Sequence, residues 1–330
     1  MRISKTLWQG ALLALATCGP AASLAQDAAE ADMATTEATE SEVVKAEAPS
    51  VEVPKSKPKD TPARPFIERS LVIAPEQVGK FKLFSMNDYP GQPGAGVQVR
   101  YQHEDFPNVR VDLFVYPAGR VDRGPLLDRA MDEMRQSLEY AVEKGNYSNL
   151  EIGQEDEFDL RRVDTDGSLL PPGEKSAAAS EDPDLEAVLA AVSDQQDYRV
   201  GRLLDARLRM GDEAMDSRGY LFYRGLFLVK GRISASAISL PPESFDRFTH
   251  LAMATLVPLV TARSTGGCFK REIFVDPDAK DAGETLAKQL VASVAQEQQE
   301  QCAEQLDETV PDGHRAMPLV FDPGMWGGKG

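Results

Sequence analysis

Between Val109 and Gly119 the chain reads VRVDLFVYPAG, with apolar side chains at both odd and even positions. Side chains of an extended strand alternate between its two faces. Val109, Val111, Leu113 and Val115 therefore share one face, and Phe114 and Tyr116 share the other. Such a strand cannot lie with one side in water, so it demands a sheet covered by a layer on each side. The following segment supplies one cover. Leu127, Ala130, Met131, Met134, Leu138, Ala141 and Val142 keep the i, i+3, i+4 spacing of an amphipathic helix. Pro125 suits its first turn, and Gly145 with Asn146 suits its stop. This helix is expected over the ring-bearing face, covering Phe114 and Tyr116.

The strand closes a meander. FKLFSMNDY (81–89) and VQVRYQHE (97–104) precede it, the latter with Val97, Val99 and Tyr101 on one side. Further on, NLEIGQEDEFDLRR reads as a strand interrupted by acids, and residues 163–183 as a long exposed loop. LEAVLAAV is a short helix. YRVGRLLDARLRM, GYLFYR and LFLVKGRISASAI are strands, with a tight turn at Arg224–Gly225 between the last two. A second amphipathic helix stripes Phe245, Phe248, Ala252, Leu256 and Leu259, with Pro258 set to kink or end it. CFKREIFVD is strand-like, and a polar helix is expected from Asp278 to Asp307. The predicted class is α+β, an antiparallel sheet flanked by helices over 65–265. A strand–helix extension over 266–310 and a flexible tail over 311–330 that holds Trp326 complete it.

The N-terminus belongs to targeting. Arg2 and Lys5 precede LWQGALLALATC, an apolar run too short to span a bilayer. Ser23 and Ala25 occupy the positions a signal peptidase reads, so residues 1–25 are expected to be cleaved after Ala25. Lipidation at Cys18, which would anchor the chain to a membrane, is the alternative. Residues 26–64 alternate Ala, Glu, Thr and Lys with proline and cannot bury enough surface to order, so they read as a spacer. A periplasmic or secreted location follows. There the remaining cysteines, Cys268 and Cys302, are expected to pair as a disulfide rather than serve as a reactive thiol.

A formal net charge of −17 argues against nucleic acid and against anionic lipid surfaces as partners. Sites of chemistry are hard to find. His103, His250 and His314 are not paired at helical spacing, so no helical metal site appears. His103 with Glu104 and Asp105 is the best acid–base candidate, against the alternative of an exposed turn; the other two histidines read as solvated. DTDGS (164–168) and DPDAKDAGE (276–284) lack the Gly and Glu spacing of a calcium loop and read as turns and caps. GQPGAG lacks the Lys-Ser/Thr ending of a phosphate loop, and no GxSxG occurs. No cofactor or metal is expected.

The order of elements, from VDLFVYPAG through the long helix to GYLFYRGLFLVKGRIS and a closing helix with paired phenylalanines, resembles the Mog/PsbP-like α/β/α fold over about 66–262. That resemblance implies an antiparallel sheet between helices and a binding or assembly role without shared catalytic residues. The leading expectation is thus an exported, non-catalytic envelope protein that binds another envelope protein. Two other functions stay open: a carrier whose apolar ligand sits among Phe114, Tyr116, Tyr220 and Phe222, and an enzyme of unrecognised class.

Overall fold

The computed structural model describes residues 66–89, 94–176, 198–269, 301–306 and 310–319. All of them fall in one compact unit. Residues 1–65, the short helix near 185–192, residues 270–300 and Trp326 lie outside the described residues.

Eleven strands are described: β1 Arg69–Pro75, β2 Gln77–Val78, β3 Phe81–Asp88, β4 Val97–His103, β5 Phe106–Pro117, β6 Ser148–Asp159, β7 Val200–Met210, β8 Glu213–Arg224, β9 Phe227–Ser236, β10 Thr261–Thr265 and β11 His314–Leu319. Two helices accompany them, α1 Arg123–Glu143 and α2 Pro242–Leu256. The larger sheet has eight strands in the order β2-β3-β4-β5-β9-β8-β7-β6; the smaller has three, β10-β1-β11. The described strand pairings are antiparallel, which makes the fold α+β with a sheet between layers.

Alternation fixes what each face carries. Leu113 stands opposite Gly231, which stands opposite Tyr220; Val115, Val229 and Phe222 line up in the same way. With Val97, Val99 and Tyr101 these form a core that packs against Phe245, Phe248, Met253 and Leu256 of α2 and Val72 and Ala74 of β1. Each large side chain fully buried there contributes about 1.5–3 kcal/mol. The opposite face carries Phe114, Tyr116, Leu204, Leu221 and Leu228 under Leu127, Ala130, Met131 and Met134 of α1. Two glycines on neighbouring strands let the helices approach. A Cβ at Gly219 would meet Met134 Sδ of α1 at 2.3 Å, and one at Gly231 would meet Met253 Sδ of α2 at 2.3 Å.

The helix ends follow their sequences. α1 closes with Gly145 at φ 74°, its N–H bonded to the Val142 carbonyl and that of Asn146 to the Ala141 carbonyl. That pattern satisfies the last orphan carbonyls. α2 stops at Leu256, before Pro258. The half-buried Arg224 donates to the carbonyls of Val257 at 2.9 Å and Pro258 at 2.8 Å, placing a cation at that helix end. Leu259 is consequently past the helix and 44 % exposed, not on its buried stripe as its spacing predicted.

The C-terminal part departs most from expectation. The tail is not free over residues 314–319: these form β11, antiparallel to β1 from Ser70↔Leu319 to Pro75↔His314. Cys268 lies in a 3-10 turn, Gly267–Phe269, rather than in a strand. Residues 301–306 are turn, bridge and bend rather than the end of a helix, with Gln301 at φ 54°. Cys302 bridges to Ser264 of β10, and the Cys268–Cys302 disulfide closes across a Cα separation of 6.0 Å. The clamp thus joins a turn to a segment lying along the small sheet. Leu306 packs on Leu71 and Ile73 there.

Candidate functional site

The four rings proposed from sequence do not form one site. Phe114 and Tyr116 stack with centroids 6.1 Å apart, and both are buried beneath α1. Tyr220 and Phe222 point to the other face, where Phe158 meets them edge-on at 4.9 and 6.2 Å. The Tyr220 hydroxyl bonds Thr249 Oγ1 of α2 at 2.8 Å. The register of β5, β9 and β8 is the reason: Tyr220 and Phe222 share parity with Leu113 and Val115. Between α1 and the sheet lies a cavity of about 20 Å³, bordered by Met134, Ser137, Lys230 and Arg232. It has room for roughly one water, whereas small-molecule sites run to about 300–1,000 Å³. The α1 interface is a seal.

The acid–base candidate also separates. His103 is buried, not exposed in a turn, with its ring centroid 4.8 Å from Phe81, 5.5 Å from Phe106 and 5.4 Å from Phe248. Its Nδ1 accepts the Asp105 N–H at 3.2 Å, and burial holds its pKa below the usual histidine value. Glu104 and Asp105 face solvent, and Asp105 pairs with Lys80 at 2.6 Å. Instead of lining a cleft, the three residues close a strand end over an aromatic cluster. His250 is likewise not solvated. It lies 5.2 Å from the Phe158 ring, and its Nδ1 sits 3.3 Å from the Gly167 carbonyl. Burial lowers its pKa as well. His314 lies in β11, partly exposed, with Nδ1 3.0 Å from the Asp312 carbonyl.

The loop after β6 is only partly a free surface. Asp164 and Asp166 do form turns, the latter accepting from the Ser168 N–H at 2.9 Å and its hydroxyl at 2.6 Å. But Gly167 is pressed on α2, where a Cβ would stand 2.1 Å from the Arg247 carbonyl. Asp166 and Gly167 are thereby held on the helix, where Arg247 lies 3.7 Å from the Asp166 carboxylate. Among the described residues no three His, Cys, Asp or Glu side chains could jointly hold a metal ion. No helix among them is long and apolar enough to cross a membrane.

The arrangement that sequence reasoning missed is polar. α1 covers its face of the sheet over β6, β7 and β8. On the same face β3, β4, β5 and β9 carry Lys82, Gln98, Arg100, Arg110, Lys230 and Arg232 around a single acid, Asp112. Arg100 grips Asp112 with both ends of its guanidinium, Nε at 2.6 Å and Nη2 at 3.0 Å. Gln98 donates to the same carboxylate at 3.1 Å and accepts from the Tyr89 hydroxyl at 3.1 Å. Burial lifts the Tyr89 hydroxyl above its usual pKa. Next to this network Lys230 is 7 % exposed, and burial together with the Arg232 charge pulls its ammonium down to a pKa of about 7, against the favourable field of Glu133 on α1. Arg232 donates to the Tyr147 hydroxyl at 2.8 Å. Lys82 and Arg110 are exposed at the outer rows. On a chain of net charge −17 this is a basic island, with its geometry fixed by a bidentate ion pair. The local signal was available in part: Gln98, Arg100 and Asp112 alternate with core residues. Their conjunction with Lys230 and Arg232 depends on β5 pairing with β9.

No protein-family model matches the chain, and no curated protein matches it. Among solved structures it is similar to cyanobacterial PsbP from Synechocystis, with 11% sequence identity, a TM-score of 0.32, and coverage of 58% of this chain and 92% of that one.

Proposed function

We propose that this protein is a non-catalytic binding module of the cell envelope, which holds an acidic polypeptide segment of another envelope protein on the polar half of its large sheet. The observation that carries this reading is the basic island around the Arg100–Asp112 pair on an otherwise acidic chain. Complementary charge is what recruits and orients a partner on such a surface. The sealed α1 interface and the dispersal of His103, Glu104 and Asp105 favour binding over ligand transport or acid–base chemistry. Export is supported by the leader-like residues 1–25 and by a disulfide of the kind that persists in oxidising compartments.

The test is site-specific photocrosslinking in intact cells, with the reactive residue at Gln102, between Lys82 and Arg110 in register. The expected result is a discrete adduct that disappears when Lys82 and Arg110 are both changed to Glu. An adduct of equal yield in the charge-reversed protein, or none in either, overturns the reading.

A further inference from the structure

The small cavity beneath α1 has two cations on its border. It lies where Gly219 leaves a gap in a cross-strand row, Leu204, Gly219 and Arg232 standing opposite one another on β7, β8 and β9. Met134 of α1 reaches over that gap, its Sδ 2.3 Å from where a Cβ of residue 219 would stand, and about 20 Å³ is left beside it. Ser137 of α1, Ser217 of β8, and Lys230 and Arg232 of β9 give the space its polar border. A space of this size takes one water or one monatomic ion.

The polar border is rich in donors. The Lys230 ammonium brings three N–H groups, and its strand position between Phe114 and Leu221 puts it on the face that α1 covers. Ser217 is 4 % exposed, and its Oγ lies 2.8 Å from Ser234 Oγ. One proton makes that bond, so with Ser234 as donor the Ser217 proton serves the cavity. Ser137 spends its own proton on the Met134 carbonyl at 2.8 Å.

Counter-charge is scarcer. Glu133, the α1 carboxylate whose field reaches Lys230, is itself shifted up by burial, against the pull of Arg129 and Lys230. Asp112, beside Arg232 on β5, is gripped by both ends of Arg100. Arg232 donates to a neutral group, the Tyr147 hydroxyl, at 2.8 Å. Among the described residues, positive charge therefore exceeds negative around a space lined otherwise by apolar groups, and charge buried without compensation is costly.

We infer that this cavity binds a single chloride ion between the Lys230 ammonium, the Ser217 hydroxyl and the Arg232 guanidinium, tying α1 to β8 and β9. Sign and size select the ligand. Two cations and a hydroxyl donor call for an anion, and room for one water excludes carboxylates and tetrahedral oxyanions. The site is independent of the docking reading, whose exposed residues are Lys82 and Arg110. Binding is linked to a proton, because burial and the Arg232 charge bring the Lys230 pKa to about 7 and chloride takes the charged form. A bound ion raises that pKa, so affinity is greatest below it and falls by up to about tenfold per pH unit above it.

The test is urea unfolding of the chain from Gln26 to Gly330, disulfide intact, in sodium chloride against sodium gluconate at fixed ionic strength. Gluconate is too large for the cavity. At pH 6.5 the wild-type unfolding constant is expected to fall about fivefold between gluconate and about 0.2 M chloride, along a saturating curve, as binding to the native state alone requires. At pH 8.5 the same change should shrink to less than about twofold. Lys230→Met keeps the stem without the charge and should unfold alike in both salts. A wild type indifferent to chloride, or a wild type and variant that shift together, overturns the inference. Diffraction from crystals grown below pH 7 in bromide gives a second reading. An anomalous peak within hydrogen-bond reach of Lys230 Nζ and Ser217 Oγ supports the site; a map with bromide only on the outer surface overturns it.

Discussion

Replacing Lys230 by Met should make the protein more stable near neutral pH and remove much of its alkaline pH dependence. Lys230 lies on β9 against the flank of α1, 7 % exposed, with Arg232 two residues on along the strand and Glu133 above. Burial and then the Arg232 charge lower its pKa from 10.5 to about 7, despite the opposing pull of Glu133. In the unfolded chain the amine keeps its proton up to about pH 10.4. Between these values the unfolded state binds more protons than the native state, so native stability must rise with pH across that window. The slope is about 1.4 kcal/mol per pH unit for one proton. It flattens below about pH 7, where both states are charged, and near pH 10.5, where both are neutral. Integrated over the window this approaches 5 kcal/mol, most of it charged against the fold at pH 7. Met retains the length of the stem and its packing on α1 but carries no charge. The pKa of about 7 already contains the attraction to Glu133; allowing for the other contacts of the ammonium, which Met does not make, the variant should gain about 3 kcal/mol at pH 7. Urea unfolding of both proteins at half-unit steps from pH 7 to 9.5 reads this directly. Wild type should steepen toward alkali, and Lys230→Met should stay nearly level. A variant that unfolds at the same or lower urea and keeps the wild-type slope would refute the reasoning.

On the acid side, His103 and His250 are both held neutral by burial. Their contribution is complete above the unfolded value near pH 6.5 and is lost as pH falls below it; His103→Phe, set among Phe81, Phe106 and Phe248, should therefore soften acid unfolding followed by circular dichroism. Asp112→Ala strips Arg100 and Gln98 of their shared acceptor and should cost about 2–4 kcal/mol in denaturant melts, with Asp112→Asn recovering part of it. Gly167→Ala has neither the room nor the backbone freedom, since Gly167 is at φ 84° against the Arg247 carbonyl. It should lift the turn at Asp166–Gly167 off α2 and raise amide exchange around it by more than tenfold, the expected consequence of about 1.5–3 kcal/mol of local strain. Reducing the Cys268–Cys302 bond, which closes a separation of 34 residues, should cost about 3–4 kcal/mol by thermal or urea unfolding in the chain-entropy account; no shift after quantitative thiol release would contradict it.

What the sequence determined by itself is local. A period of two along 109–117 and a period near 3.6 along 127–142 are set by backbone geometry within one element, so they were readable without knowing any neighbour. The same holds for Gly145 at the end of α1 and for the turn between β8 and β9, expected at Arg224–Gly225 and formed one residue later by Gly225 and Leu226. Burial of Phe114 and Tyr116 was legible too, because a two-sided apolar strand followed at once by an amphipathic helix leaves that helix as the nearest cover. Tertiary structure alone decided which distant strands became neighbours. Pro117 pairs with Phe227 across more than a hundred residues, and that single register sends Tyr220 and Phe222 away from Phe114 and brings Lys230 and Arg232 beside Asp112. The same non-local choice buried His103 against Phe248 of α2 and recruited residues 314–319 to pair with β1. Composition could place a polar side chain on a strand face; only the partner strand could say whether that face met water, a helix or an opposite charge. A shift of one residue in pairing would exchange the two faces entirely, so the candidate site is a property of the register, whereas the elements that bear it are properties of the chain.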